Sequence, residues 1–249
     1  MIYFILLISG LLLGSFSNML IYRLPNEKSL FRGRSYCPFC NQDLALRSLM
    51  PVISYIIQKG RCLSCRHPIP IRYLLVECLM PSCLILCYLS YDLTFYSIQL
   101  MIYCWICIIL FFSDLETSLL PTTISFFGII MGLIWTLKTH LLFDSLMGMG
   151  SGIIIYGSIA LIAQFWYKKP ALGQGDIILI GMIGAYWGLK IVIITCYLSF
   201  LVGGVIALFL LLTKRKSKQD HIPFAPAIII ASYLAIFYHN PLYSYFLGI

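Results

Sequence analysis

The sequence predicts an all-α polytopic membrane protein with about eight transmembrane helices. Of the 249 residues, 61% are hydrophobic and only 10% are charged, and the mean hydropathy is +0.94. A soluble domain is about half apolar and about a quarter charged. Several apolar runs also reach the roughly 20 residues that a helix needs to cross about 30 Å of hydrocarbon. Composition and run length together exclude an ordinary soluble domain.

Eight apolar runs follow one another along the chain. They cover residues 2–22, 73–91, 94–113, 122–138, 144–167, 176–189, 191–212 and 223–243. The sixth run is short, and its boundary with the seventh has the weakest signal. The first run lacks a charged n-region and an Ala-x-Ala cleavage site, so we expect a retained span rather than a signal peptide. Glycine pairs such as Gly148/Gly152 and Gly184/Gly188 predict close helix packing.

Lysines and arginines are unevenly distributed among the connections between these runs. The segment 23–72 holds nine of the 17, two follow the fifth run at 168–169, and four follow the seventh at 214–218. Positive charge accumulates on the cytoplasmic side of membrane proteins. The pattern therefore predicts that the 23–72 loop is cytoplasmic and that both termini lie outside. In a multi-span protein such charge indicates topology and contact with the lipid bilayer, so we expect no nucleic-acid partner.

Four of the ten cysteines lie in this cytoplasmic loop and form two C-x₂-C pairs. Cys37 and Cys40 make the first pair, and Cys62 and Cys65 follow at a gap close to zinc-ribbon spacing. Two such pairs can complete a tetrahedral Cys₄ site, and a structural ion supplies folding energy to a small loop. A reducing cytoplasm disfavours disulfides. We therefore expect structural Zn²⁺, with redox or vestigial cysteines as the alternatives and His67 as a spare ligand.

Two carboxylates fall at the same predicted membrane depth. Asp114 closes the third run and Asp176 opens the sixth, so both lie at cytoplasmic helix ends. Ionisable groups at membrane depth mark functional sites. Two apposed carboxylates cannot both ionise easily, so one can act as an acid while the other activates a water, as in aspartic peptidases. Unrelated helix-end acids are the alternative. Glu77 lies about one turn into the second run, and we expect Asp92 and Asp144 to be plain acids at the outer interface.

The second carboxylate, Asp176, ends a Gly-Gln-Gly-Asp stretch at 173–176, in which Gly173 and Gly175 are the two glycines. The stretch lacks the Gly-Lys-Ser/Thr of a P-loop, and the sequence has no His-Glu-x-x-His of a zinc peptidase. Glycines before a helix permit close backbone approach. We expect a slim loop over 170–175 that lets an extended peptide or a neighbouring helix lie against Asp176.

Six ordered motifs over nearly the whole chain resemble those of the type IV prepilin peptidases, membrane aspartic peptidases of the G-x-G-D class. The motifs are GSFSNMLIYRLP at 14–25, the Cys₄ loop with PVISY at 51–55 and KGRC at 59–62, IRY at 71–73 with Glu77, DLE at 114–116 with LP at 120–121, GQGD at 173–176, and IPFAP at 222–226. The resemblance implies an enzyme of the bacterial cytoplasmic membrane. Such enzymes remove the basic leader of prepilins or pseudopilins after a glycine, at the cytoplasmic face. They commonly then methylate the new N-terminus with S-adenosylmethionine.

The resemblance also assigns residues and domains. It implies a first transmembrane helix at 1–22, a zinc-binding and methyltransferase domain at 23–72, and a seven-helix peptidase core at 73–249. The implied roles are a catalytic pair at Asp114 and Asp176; a supporting loop at Gly173 and Gly175; zinc ligands at Cys37, Cys40, Cys62 and Cys65; and a methyltransferase region that includes Gly14, Asn18, Arg23 and Gly60. The motifs carry no information on oligomeric state.

Three positions depart from the family pattern. Ile178 stands where the family often has Lys, Thr122 replaces an Asp or Asn, and LRSLMP at 46–51 replaces a Trp-Asp/Asn-x-x-Pro motif. The last change lies in the region that the family links to methylation, which keeps open a peptidase that does not methylate. A non-catalytic membrane assembly factor with a zinc knuckle and a proton-coupled transporter also stay open. A transporter would place its acids at mid-membrane rather than at the margin.

Overall fold

A computed structural model describes residues 1–29, 34–139, 141–168, 172–213 and 223–239. Their regular structure is helical, with two isolated β-bridges and no strand among these residues. The helices are α1 (Ile2–Arg23), α2 (Ile53–Ile57), α3 (Arg72–Tyr91), α4 (Phe95–Thr117), α5 (Thr122–Thr139), α6 (Leu142–Tyr167), α7 (Gln174–Leu212) and α8 (Ala225–His239), with one 3₁₀ turn at Leu46–Ser48.

Six of these helices, α1 and α3 to α7, are long and apolar enough to cross a membrane, and α8 contains a shorter apolar stretch at Ala225–Phe237. The prediction of an all-α multi-pass membrane protein is confirmed. The helix bounds agree with the apolar runs to within a few residues. The basic segment at 214–218, residues 170 and 171 of the 170–175 loop, and residues 240–249 lie outside the described residues.

Helix α7 joins two of the predicted spans. Gly188 interrupts it with φ 78° and ψ −174°, a conformation that is essentially restricted to glycine. A Cβ added to Gly152 of α6 would lie 3.2 Å from the Ile180 carbonyl and 3.1 Å from Val192, so these two residues of α7 lie beside the same glycine. The chain therefore reverses between them. In a straight helix those two residues would be about 18 Å apart. The halves of α7 therefore run antiparallel beside α6, which accounts for the sixth and seventh predicted spans.

Asp144 holds the reversal in place. Its Oδ1 accepts a hydrogen bond from the Leu189 amide at 3.4 Å, and its carboxylate lies where a Cβ on Gly188 would be. The carboxylate thus caps the second half of α7, a helix N-terminus that favours negative charge. The expectation that Asp144 is a plain interface acid is too weak, because only the packing of α6 against α7 reveals its partner. On α6 and α7, Gly148 and Gly184 are in close contact, as the glycine pairs predicted.

Residues Met1–Phe112 form one compact unit and Ser113–Ile249 form another. In the first unit α1 packs on α3, and the approach is close because Gly10 faces Pro81 and Gly14 faces Glu77. The loop between these helices is fixed at its start by Lys28, whose Nζ donates to the hydroxyls of Tyr22 and Tyr36. In the second unit α7 packs on α5, α6 and α8. The domain division predicted from the sequence stays a prediction.

Candidate active site and metal centre

Asp114 lies in the last turn of α4, and its side chain is 4% exposed. Its Oδ2 accepts a hydrogen bond of 3.0 Å from the backbone N–H of Ala225. Ala225 begins α8, so this donor is one of the amides that a helix N-terminus leaves without an intrahelical partner. The carboxylate is therefore oriented by a helix that begins more than a hundred residues later in the chain.

The start of α8 is positioned by aromatic packing. The ring of Phe224 lies 5.7 Å from that of Phe200 and 6.3 Å from that of Tyr156, and Gly203 makes room for it. The IPFAP motif at 222–226 had no assigned role in the sequence analysis. The structure shows what its described part does: Phe224 fixes the segment, and the next residue gives its N–H to Asp114.

Asp176 lies in the first turn of α7, and its side chain is 8% exposed. Its Oδ2 accepts a hydrogen bond of 3.3 Å from the N–H of Gly173, and its own N–H donates to the Gly173 carbonyl at 3.1 Å. The carboxylate thus folds back over the helix N-terminus, which favours negative charge. The two carboxyls come from distant parts of the sequence, and they lie within electrostatic reach of each other.

The two glycines before Asp176 have different surroundings. Gly173 is exposed, and a Cβ there would come within 3.1 Å of the Asp176 carboxylate oxygen. Gly175 lies against Leu120, whose Cβ would be 2.7 Å from an added Cβ. Gly175 therefore leaves space for the neighbouring segment that contains Leu120, which was one of the two expectations for this loop. Gly173 is exposed, so its side of the loop is accessible to a peptide.

Sequence reasoning missed a buried polar pair between α6 and the returning half of α7. The hydroxyls of Tyr156 and Ser199 lie 2.6 Å apart, and neither side chain is exposed. Ser199 also donates to the Cys196 carbonyl, and the charge of Asp176 reaches Tyr156. One residue lies on α6 and the other on the returning half of α7. No motif marks them, because only the reversal at Gly188 brings them together.

Two of the departures from the family pattern are near the carboxyls in sequence. Ile178 is partly buried in the first turns of α7, and Thr122 is exposed at the start of α5. An apolar side chain and a hydroxyl therefore stand where a cation and an acid or amide were expected. Neither provides a charge beside Asp114 or Asp176.

The four cysteines lie on two knuckles with the same hydrogen-bond pattern. In the first, the Cys37 carbonyl accepts a hydrogen bond from the N–H of Asn41, and the Cys37 N–H donates to the Gln42 carbonyl. In the second, the backbone of Cys62 makes the same two hydrogen bonds with Arg66 and His67. An isolated bridge closes each knuckle, Tyr36 to Asp43 and Arg61 to Pro68. The matched spacing explains how two separate C-x₂-C pairs present their thiols in one geometry. The His67 ring stacks on Phe39.

The four sulfurs lie within 4.8 Å of one another, and those of Cys37 and Cys65 are 3.9 Å apart. A tetrahedral site with Zn–S bonds of about 2.3 Å requires sulfurs about 3.8 Å apart. Backbone N–H groups of Cys65 and Ser64 point at the Cys62 sulfur and lower the pKa of that thiol to about 6, which favours the thiolate that a metal binds. The donor set and its geometry fit a structural metal ion.

The residues that the resemblance links to methyl transfer fall into two groups. Gly14 and Asn18 lie beside Glu77, where Asn18 donates to the Tyr73 carbonyl and its own Oδ1 is buried without a hydrogen bond among the described residues. Arg23 donates to the Ser29 and Arg34 carbonyls. Gly60 has φ 64° and lies against Tyr55 just before the second knuckle. Its contribution is therefore to the backbone conformation of the loop.

Comparison with known proteins agrees with this organisation. The family model described as the bacterial peptidase A24 N-terminal domain matches residues 8–91, and the one described as the type IV leader peptidase family matches residues 101–208. No solved structure matches the chain significantly.

Three relatives illustrate the similarity, and each is named prepilin leader peptidase/N-methyltransferase. The protein from Bacillus subtilis (strain 168) is 32% identical over 248 residues, which cover 98% of this chain and 97% of the relative. The protein from Myxococcus xanthus is 30% identical over 85% of this chain and 64% of its own length. The Legionella pneumophila protein is 29% identical over 99% of this chain and 94% of its own length. Two family matches in order and a relative aligned along its full length lead to one conclusion: the chain belongs to the type IV leader peptidase family.

Proposed function

We propose that this protein is a membrane aspartic endopeptidase that removes the basic leader peptide of type IV prepilins or pseudopilins, and that it also methylates the new N-terminus. The observation that supports the peptidase activity is the burial of two carboxyls, Asp114 and Asp176, at the ends of two membrane helices within electrostatic reach of each other. The family and the names of the relatives support both activities.

In the proposed mechanism the two carboxyls share the work of acid and base. One takes a proton from a water molecule as that water attacks the scissile carbonyl, and the other protonates the departing amine. The Ala225 N–H orients Asp114, and the Gly173 N–H orients Asp176. Both orienting donors are backbone amides at helix N-termini, so the path of the chain directs each acid before the substrate arrives. A transporter is disfavoured by the placement of the acids at helix ends.

The location of the pair suits a substrate that is itself anchored in the membrane. A prepilin carries its leader just before a hydrophobic helix, so its scissile bond lies at the bilayer surface. The charge pattern supports a cytoplasmic position for this surface, for the 23–72 loop and for the Lys168 connection, with both termini outside. Gly173 is exposed on the approach to Asp176 and leaves room for an extended peptide.

We propose that Cys37, Cys40, Cys62 and Cys65 hold one structural Zn²⁺ in the 23–72 domain. A closed Cys₄ set has no open coordination position, so we assign the metal a role in folding and none in the peptidase chemistry. The knuckles surround little apolar core, and the ion would supply the stability that burial does not.

For methyl transfer, the region of Gly14 and Asn18 is the best-supported part of the proposed site. S-adenosylmethionine supplies an activated methyl group to an amine. The unpartnered Oδ1 of Asn18 is a buried acceptor, and Glu77 beside it is 7% exposed. Acceptors of this kind fit an amine or another donor group of a ligand. Arg23 and Gly60 would act indirectly, through the shape of the loop.

The experiment that tests the peptidase is the mass of a prepilin after incubation with membranes that contain the protein. We expect the wild type to yield a product shortened by the leader and heavier by one methyl group. Asp114→Asn and Asp176→Asn should each leave the prepilin at full length while the protein still inserts. Processing by both single variants would overturn the two-aspartate mechanism and favour a non-catalytic assembly factor.

The same measurement separates the second activity from the first. Asn18→Ala should yield a product that is cleaved but not methylated, because it removes the buried acceptor and leaves both aspartates in place. A wild-type product that is cleaved but never methylated in the presence of S-adenosylmethionine would show that the protein is a peptidase only.

A further inference from the structure

The loop between α1 and α3 carries an apolar stripe that no described part of the chain covers. Ile53, Ile56 and Ile57 of α2 are 53%, 63% and 74% exposed, and Met50 just before them is 54% exposed. These positions have the spacing of one helix face. A domain surrounded by water rarely exposes so many large apolar side chains together, and such patches mark contact with a membrane or a partner.

The opposite side of α2 is already occupied by its own domain. The Tyr55 hydroxyl donates to the Ile69 carbonyl, and the Tyr55 ring lies against Gly60 beside the second knuckle. The stripe therefore points away from the Cys₄ domain. It cannot be buried by a rotation of the helix without loss of these contacts.

The start of α2 is attached to α3, one of the helices long enough to cross a membrane. The Val52 amide donates a hydrogen bond of 2.7 Å to the Glu77 carboxylate, and Glu77 lies in the second turn of α3. At 1.5 Å per residue, Glu77 is about 7–8 Å along α3 from its first residue. Val52 is β-branched and has φ 62°, a conformation that such a residue adopts only when its surroundings impose it. The position of α2 is therefore imposed by α3.

Basic side chains flank the stripe on both sides in sequence. Arg47 precedes it, and Lys59 and Arg61 follow it, all three exposed. An amphipathic segment with an apolar face and a basic border is the arrangement that binds the surface of an anionic bilayer. The leader of a prepilin is itself basic and would be repelled by these side chains, so the charge favours lipid over substrate.

We propose that α2 is an interfacial helix, which rests on an anionic lipid bilayer with Ile53, Ile56 and Ile57 at the boundary between headgroups and acyl chains. This contact is distinct from the membrane-spanning helices and does not depend on the proposed peptidase activity. It holds the Cys₄ domain against the membrane surface through two attachments, the Glu77 carboxylate on one side and the lipid on the other.

The test uses the full chain in vesicles of equal parts phosphatidylglycerol and phosphatidylcholine, with a fluorescent amino acid in place of Ile57. Acyl chains that carry bromine quench such a probe when it lies among them. We expect quenching as strong as for the same probe at Leu161, an exposed position of α6, and none for a probe at Gln42, which is exposed on the first knuckle. An unquenched probe at position 57 would overturn the proposal. Quenching lost only when prepilin is added would instead indicate that substrate competes for the stripe.

A second measurement distinguishes loss of membrane contact from a failure of the variant to fold. Ile56→Asp with Ile57→Asp should make the chain more sensitive to trypsin after Lys59 in the same vesicles, while its metal content stays that of the wild type. Leu63→Asp, at a 52% exposed position of the second knuckle, is the matched control and should leave the cleavage rate unchanged. Equal cleavage of all three proteins would contradict the proposal. Protection that depends on protein concentration would instead indicate a second copy of the chain on the stripe.

Discussion

Each carboxyl of the proposed active site is held by a backbone amide rather than by another side chain. Asp114 accepts from Ala225 and Asp176 accepts from Gly173. Both donors lie at helix N-termini, where amides lack intrahelical partners. A backbone donor cannot change rotamer, so this arrangement fixes the direction of each acid. Small changes in the path of the chain should therefore affect catalysis as much as changes in the acids.

Gly175→Ala tests this sensitivity. The added Cβ would come within 2.7 Å of the Leu120 Cβ and push the first turn of α7 away. We expect leader cleavage to fall by about 10-fold to about 100-fold, since a misplacement near 1 Å costs about 100-fold. The measurement is the initial rate of prepilin cleavage at matched protein levels.

Two further variants control for a general effect of alanine. Gly204→Ala lies on the same helix, where an added Cβ meets nothing within 4 Å, and it should cleave at the wild-type rate. Leu120→Gly combined with Gly175→Ala should recover most of the lost activity, because removal of the Leu120 Cβ relieves the clash. A double variant as slow as the single one would contradict the role of this contact.

At the scale of elements, the reversal of α7 is the feature that the sequence could not reveal in full. The apolar runs at 176–189 and 191–212 predicted two spans, and the residue between them is Lys190. The structure places the break two residues earlier, at Gly188, because only glycine adopts its backbone conformation and because Asp144 caps Leu189. Hydropathy records which residues are apolar but contains no information about a cap that comes from another helix.

Gly188→Ala should destabilise the protein by about 1–3 kcal/mol from backbone strain alone, since the observed conformation is essentially restricted to glycine. The new methyl group would also collide with the Asp144 carboxylate. We expect a lower midpoint of thermal unfolding in detergent. Gly150→Ala, where an added Cβ meets nothing within 4 Å, should leave the midpoint unchanged. A midpoint that shifts equally in both variants would contradict this account.

The metal centre shows which features of a site the spacing of its cysteines can predict. Two C-x₂-C pairs predicted that four thiols would converge, and they lie within 4.8 Å of one another. The spacing did not predict that the two knuckles share a hydrogen-bond pattern, nor that Gly60 is required by its positive φ. This geometry arises from backbone hydrogen bonds within each knuckle, which the spacing of the cysteines does not specify.

Metal analysis of purified protein tests the zinc proposal. We expect about one zinc ion per chain, the stoichiometry of a Cys₄ site. Cys62→Ser should lose the metal and make the 23–72 loop sensitive to protease, whereas Cys78→Ser, an exposed thiol on α3, should retain it. A folded, metal-free wild-type preparation would contradict the proposal.

At the scale of the whole molecule, the number of crossings and the distribution of charge should agree. When the two halves of α7 are counted as separate crossings, the connections that hold most of the Lys and Arg residues all fall on the same side of the membrane. The sequence predicted the membrane helices because hydropathy marks apolar runs of spanning length, whereas the side on which each connection lies stays a prediction. It predicted contacts between distant helices only through the glycine pairs and the family resemblance, since most such contacts depend on packing.

Reporter fusions test the orientation. A fluorescent protein fused after Lys168 should fluoresce, because that connection is proposed to be cytoplasmic. Alkaline phosphatase fused after Lys138 should be active, because this enzyme works only outside the cytoplasm. The reverse pattern at both positions would place the proposed active site on the wrong side of the membrane for leader removal.

The reversal within α7 also has a consequence for biosynthesis. The half of α7 that begins at Gln174 and ends before Gly188 has only 14 residues, fewer than the roughly 17 that a spanning helix requires. It carries an acid in its first turn, and we expect it to insert poorly on its own. The returning half is longer and apolar, and Gly188 leaves no polar loop between the two. We therefore expect the two halves to enter the bilayer together as a hairpin, so that one acid of the pair reaches its place only after residue 212 has been synthesised.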